Sequence, residues 1–167
     1  GHSEFTVNIP KNELPKWSDV LKGKSNKWVP LYRGRDINIH NPSYGFENGE
    51  LKSDQYGLAS TIIDFGFNRN LCLVGWRAIS RTNDQRTLIS CLLNGCFWTN
   101  EKIYLVQAKD DEQNYIISIF LGSLAFDFLT RMVGSSTITS SIVSGLPFAN
   151  YRTKYLDKAI EILRILY

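Results

Sequence analysis

Three groups of side chains in this sequence carry donors suited to an anionic partner. Arg33 and Arg35, with Asp36 beside them, end the stretch "WVPLYRGRDI". Arg77, Arg81, Thr82, Asn83 and Arg86 surround the polar turn "RTND", and Ser135, Ser136 and Thr137 follow a long apolar run. Cations of this kind fix a protein on phosphate, and forked donors read base edges. Arg matches O6 and N7 of guanine, and Asn can bracket N6 and N7 of adenine. The hydroxyls and backbone amides of 135–137 could contact a phosphate. Arg33 and Arg35 lie two apart, so a strand would point them to the same face. A structural reading stands beside each group. Thr82, Asn83 and Asp84 are turn formers that bond local backbone. Arg77 and Arg86 could equally pair with Asp84 or Asp127 to hold a hairpin.

Asn41-Pro42-Ser43-Tyr44 suggests another chemistry. Enzymes that methylate the amino nitrogen of adenine use Asn-Pro-Pro-Tyr or a near variant, the Asn and a carbonyl holding the amine while the ring stacks on the flipped base. Such a site also needs a Gly-rich turn after a parallel strand to hold S-adenosylmethionine. No GxG precedes a plausible helix here, and "DFGFN" (64–68) has a single glycine. The residues ahead of Asn41, "RGRDINIH", are polar where a central parallel strand would be almost wholly apolar. Asn-Pro-Ser is expected as a turn.

Other catalytic patterns are absent. There is no GxSxG, HExxH or paired-carboxylate motif. A small magnesium nuclease would need clustered acids with a lysine, and Asp64 with Gln107–Lys109 is too loosely spaced to supply one. Cys72, Cys91 and Cys96 form an odd number without a CxxC pair, and His40 has no neighbouring cysteine. Three buried thiols in a reducing, cytoplasmic setting are expected, with no metal site.

The chain has 167 residues, 43% hydrophobic and 21% charged, as one globular domain would. Gly1-His2-Ser3 looks like a tag scar, leaving 4–167 as a single domain cut from a longer polypeptide. No apolar run suggests a membrane span. The net charge of +3 is uneven. Residues 11–35 carry seven basic and two acidic side chains, residues 36–64 one basic and five acidic, and residues 65–87 four basic and one acidic. That mosaic permits a surface meeting phosphate along one side.

The elements that must position these groups follow from periodicity. "WVPLYRGRDI" has strand chemistry, with Pro30 favouring a sheet edge. "LCLVGWRAIS", "RTLISCLL" and "KIYLVQA" are apolar runs of strand length, and Gly75 marks a bulge or a close backbone approach. A helix is expected between Asp111 and Met132, capped by Asp110 or Asp111 and ended by Gly134. Ile116, Ile117, Phe120, Leu121, Leu124, Phe128 and Leu129 would form its apolar stripe, with Phe120 and Phe128 in the core. Residues 135–147 read as an exposed loop leading to a short strand, and a second amphipathic helix runs from about Thr153 to Leu166. Strands followed by helices give an α+β domain with a small mixed or antiparallel sheet and two C-terminal helices.

Three segments in order resemble the C-terminal target-recognition domain of restriction-modification enzymes carrying an adenine-specific DNA methyltransferase. "WVPLYRGRDI" is similar to PLYEGK-x-I. "GWRAISRTNDQRTLISCLLN" (75–94) is similar to R-x-I-A-R-x-T-D-E-R-T-x-I-A-A-x-I-P. "LGSLAFDFLTRMVGSSTITSSIVSGLPF" (121–148) is similar to L-N-S-x-x-F-D-Y-x-x-R-x-x-x-G-G-T-x-L-x-x-x-x-x-x-x-L-P. Arg33 replaces a frequent Glu, Asn94 a Pro, and Ser135-Ser136-Thr137 the Gly-Gly-Thr. The resemblance implies a domain that reads double-stranded DNA and is not catalytic alone. Its partner would be the methyltransferase catalytic domain of the parent chain, using S-adenosylmethionine, and magnesium if an endonuclease is fused. The alternative is a protein-docking module of a specificity subunit, which an apolar stripe left exposed on 153–166 would favour.

Overall fold

The computed structural model describes residues 19–20, 27–42, 56–58, 67–68, 70–80, 84–94, 97–148 and 153–166. Among them the chain is α+β, with two three-stranded sheets. Strands β1 (Trp28–Tyr32), β2 (Tyr56–Leu58) and β5 (Trp98–Thr99) form one; β3 (Leu73–Arg77), β4 (Ser90–Leu93) and β6 (Ile103–Val106) form the other. Helices α1 (Asp111–Gly122), α2 (Leu124–Val133), α3 (Ser140–Ser144) and α4 (Lys154–Leu166) follow. No single helix among these residues is long and apolar enough to cross a membrane.

The central strand β3 pairs antiparallel with β4 and with β6. Alternation along these strands sorts side chains to two faces. Val74, Trp76 and Leu92 join the core formed with Leu121, Phe126 and Ile138, with Tyr104 and Val106 packed against it. Cys91, Leu93 and Ile103 instead meet Tyr32 and Ile37, with Phe97 and Leu105 against them. The sheet is therefore buried on both sides, which explains its near-continuous apolar runs. Trp76 donates its indole N–H to the Ile138 carbonyl at 3.0 Å, so this ring is buried with its polar atom satisfied.

Gly75 is a close approach within a regular strand. A Cβ there would lie 2.9 Å from Leu93 Cδ1 and 3.4 Å from both Ile103 Cγ2 and Leu105 Cδ2. Leu93 is fully buried and has nowhere to retreat. Gly75→Ala is expected to destabilise the chain by about 1–3 kcal/mol through overpacking, read as a lowered urea midpoint at unchanged slope.

Pro30 differs from expectation: β1 is the middle strand of its sheet, between β2 and β5. The parallel ladder to β5 runs through Leu31 and Tyr32, beyond Pro30, so the missing N–H falls outside it. The expected long helix is two helices bent by 63°. Ser123 makes the break by accepting Phe126 N–H at 3.2 Å and donating its hydroxyl to Phe120 O at 2.7 Å. Asp110 caps α1 by accepting from Gln113 N at 2.8 Å, and Gly134 ends α2 with φ of +69°. The bend changes which face of α2 is inward. Phe126 and Thr130 are buried, while Leu124 and Phe128, placed in the stripe by periodicity, are 74% and 61% exposed. Phe120 does pack on the core. After α2 the chain makes a single bridge, Ile79 to Thr137, and then the short helix α3 in place of a strand.

Cys72 and Cys91 are buried free thiols; Cys96 lies outside the described residues. Burial pushes Cys91 up to about 12. Burial does the same to Cys72, helped by the Asp111 carboxylate, also to about 12. Neither forms appreciable thiolate near neutrality. A thiol-exchange chromophore should leave both unmodified in the native chain and label them on adding denaturant.

Candidate nucleic-acid interface

Arg33, Gly34 and Arg35 leave β1 in a one-turn 3-10 helix, Gly34–Asp36. Asp36 is 2% exposed and organises this turn. Its Oδ2 accepts from Arg33 N at 2.9 Å and from Arg33 Nε at 2.8 Å, and Oδ1 accepts from the second arm of the same guanidinium at 3.2 Å. Arg33 is thus clamped by a two-pronged ion pair. Arg35 is different: its side chain is 65% exposed, with Nε 3.8 Å from Asp36 Oδ1. The carboxylate it faces is buried, so the Arg35 guanidinium reaches it from the solvent side at longer range than Arg33 does. Asp36 therefore sits under the two arginines as their support.

The turn seats against residues from the other sheet. A Cβ at Gly34 would lie 3.2 Å from the Lys102 carbonyl and 3.9 Å from Arg77 Cγ. Arg77 projects from the end of β3 and donates Nε to the Ile37 carbonyl at 3.0 Å, with a second donation from the same guanidinium. It ties β3 to the segment after the 3-10 turn, an anchor that spacing could not reveal. The turn between β5 and β6 completes the site. Asn100 N–H donates to Tyr32 O, Asn100 Oδ1 accepts from Lys102 N, and Lys102 O accepts from Ala78 N.

These elements enclose an open groove of about 650 Å³, lined by Arg33, Gly34, Arg35, Arg77, Ile79, Ser80, Asp84, Asn100 and Lys102. Among the described residues that line it, four are cationic and one, Asp84, is acidic, with Asp36 paired to Arg33 and Glu101 beside Lys102. Lys102 lies 47% exposed with Glu101 at 3.3 Å. Lys102, Asn100 and Ile79 were not among the residues singled out by sequence. No local pattern marks them, because two strand pairings distant in sequence bring them to Arg33 and Arg35.

The third predicted group lies next to the same groove. Ser80 N–H donates to Ser136 O at 3.2 Å, Ile138 N–H donates to Ala78 O at 2.7 Å, and Thr137 bridges Ile79. The loop is therefore stitched to the strand that lines the groove. Within it Ser135 Oγ donates to Thr137 O at 2.8 Å and accepts from Thr137 N at 3.1 Å. Ser136 and Thr137 are exposed.

Arg86 belongs to a separate, buried network. Its guanidinium donates to the Gly122 carbonyl and lies 3.9 Å from Asp127 Oδ1. Asp127 Oδ1 also accepts from Thr87 N at 2.7 Å and Leu88 N at 2.8 Å, and Oδ2 accepts from Arg131 Nε at 3.0 Å. Arg131 then donates to the carbonyls of Asp84 and Gln85. Burial acts to raise the Asp127 carboxyl. The Leu88 and Thr87 amides and the Arg131 guanidinium outweigh it and hold the group below the usual carboxylate range. The hairpin-holding reading of Arg86 thus describes where its side chain goes. Arg81, Thr82 and Asn83 lie outside the described residues, between this network and the groove in sequence.

Asn41 stands in a tight turn, its backbone paired in both directions with Asn38, and His40 takes a positive φ of 50°. His40 packs on α1, where a Cβ at Gly122 would collide with its Nε2. Burial, then the nearby Arg86 charge, lowers its pKa below 6.5. Ser43 and Tyr44 lie outside the described residues, as does Asp64. Gln107, weighed with Asp64 as a nuclease remnant, exchanges hydrogen bonds with the Asn68 backbone at 2.7 and 2.9 Å. No protein-family model matches the chain, and no curated protein matches it significantly.

Proposed function

We propose that the groove is a duplex-DNA contact surface, and that the chain is a sequence-reading module of an adenine-specific restriction-modification methyltransferase. The observation that carries this is convergence. Arg33, Arg35, Arg77 and Lys102 come from three separate stretches of sequence and line one open groove. The 135–137 loop is hydrogen-bonded along its edge. An open cationic groove suits an extended polyanion better than a small enclosed ligand. In this reading Asp36 and the Ile37 carbonyl orient Arg33 and Arg77, while the exposed Arg35 and Lys102 approach phosphate or guanine. The catalytic domain, its S-adenosylmethionine and any magnesium belong to the parent chain. Selection from a randomised pool of short duplexes tests the reading. A shared short motif containing adenine supports it, and unenriched sequence after repeated rounds contradicts it.

A second reading rests on a different observation. Tyr155, Ile162, Ile165 and Leu166 on α4 are 74%, 50%, 79% and 65% exposed, and Leu124, Phe128 and Met132 form an exposed i, i+4, i+8 row on α2. Apolar faces of this kind favour protein docking, as in a specificity subunit. Under it the chain would not bind duplex DNA even at low salt.

A further inference from the structure

The large exposed hydrophobic residues described fall on α2, on α4 and at Phe148, with one exception. Ile79 is 51% exposed and lines the cationic groove beside Arg35, Arg77 and Lys102. Its position is tightly fixed. The flanking Ala78 and Ser80 are 3% and 5% exposed, so alternation turns Ile79 outward. Ala78 N–H bonds Lys102 O, Ser80 N–H bonds Ser136 O, and Ile79 itself bridges Thr137. A β-branched side chain on such a backbone is also stiff at χ1. The result is a rigid apolar knob amid guanidinium and ammonium groups.

A phosphate or carboxylate ligand gains nothing from such a knob. In the duplex major groove, bases present donors, acceptors and one apolar group, the C5-methyl of thymine, close to the phosphates that cations engage. We infer that Ile79 is a specificity-determining residue that reads a thymine methyl group at one position of the recognised site. The inference rests on the duplex-DNA reading and adds the base feature read there. Arg35 and Lys102 supply affinity for any sequence, and Ile79 supplies discrimination.

The test uses the full chain and the duplex motif selected from the random pool. Each thymine of that motif is replaced singly by deoxyuridine, which lacks only the methyl. Wild type should lose roughly fourfold in affinity at one position, the worth of one buried methyl group. Ile79→Ala should bind the thymine and deoxyuridine duplexes equally, with its salt dependence unchanged, and Ile79→Val should keep most of the difference. Equal wild-type binding to every deoxyuridine duplex would overturn the inference while leaving DNA recognition standing. So would an Ile79→Ala chain that still discriminates. Absence of any duplex binding by wild type would overturn both together.

Discussion

Asp127→Ala is expected to cost about 3–5 kcal/mol of stability, the usual consequence of removing one member of a buried charged network. The carboxylate is 5% exposed and accepts from Thr87 N, Leu88 N and Arg131, with Arg86 3.9 Å away. Alanine leaves two buried amides without their acceptor and two guanidinium groups without their counter-charge. Those groups join the 84–88 segment to α2, so the loss falls on the seam between sheet and helices. The pH dependence has a definite sign. Asp127 is held below its ordinary value of 3.8, so its stabilisation is complete above that value and disappears as pH falls through the lower folded-state value. Wild-type stability should therefore drop below about pH 4, and Asp127→Asn should flatten that acid limb. Tryptophan fluorescence during urea unfolding, repeated across the acid range, measures both. A loss under about 1 kcal/mol for Asp127→Ala, within the range of an ordinary surface pair, would show that the network does not hold this seam.

Removing the two exposed groove cations should have the larger effect on binding. Arg35→Ala and Lys102→Ala are each expected to weaken duplex DNA binding roughly tenfold at about 0.1 M salt, and to make the salt slope shallower by roughly one. Both side chains are well exposed, at 65% and 47%, so neither variant should cost more than about 0.5 kcal/mol of stability in urea unfolding. Arg33→Ala is a different experiment. It also strips the clamp from the buried Asp36, so binding and folding should fall together. Titration of a labelled duplex at several salt concentrations separates the cases. An Arg35→Ala chain with wild-type slope would remove Arg35 from the contact surface.

The sequence announced its architecture through local chemistry. The apolar runs of strand length at 71–80, 86–93 and 102–108 each hold a strand, β3, β4 and β6. Asp110 and Gly134 cap the helices where their chemistry places them. Local reading failed at Ser123 because the apolar spacing runs through the break. The adjoining glycine and serine were the available signal, and the bend is what exposes Leu124 and Phe128. For the site, Arg33, Arg35 and Arg77 were visible as cations, but their roles were not. Whether an arginine clamps an aspartate, as Arg33 does, or answers a carbonyl, as Arg77 does, depends on distant segments. Lys102 and Asn100 carry no local mark at all. Their place follows from β1 pairing parallel with β5 while β6 pairs with β3, a register that short-range spacing does not encode.

We propose that the groove around Arg35 and Lys102 meets the phosphates of duplex DNA. The most direct measurement is the affinity of the 167-residue chain for a short mixed-sequence duplex as a function of salt, for wild type and for the Arg35→Ala, Lys102→Ala double variant. Salt-sensitive binding by wild type, with a slope roughly two units shallower in the variant, is the predicted result. Wild-type chain that fails to bind at the lowest salt, or a variant that binds with an unchanged slope, would contradict it.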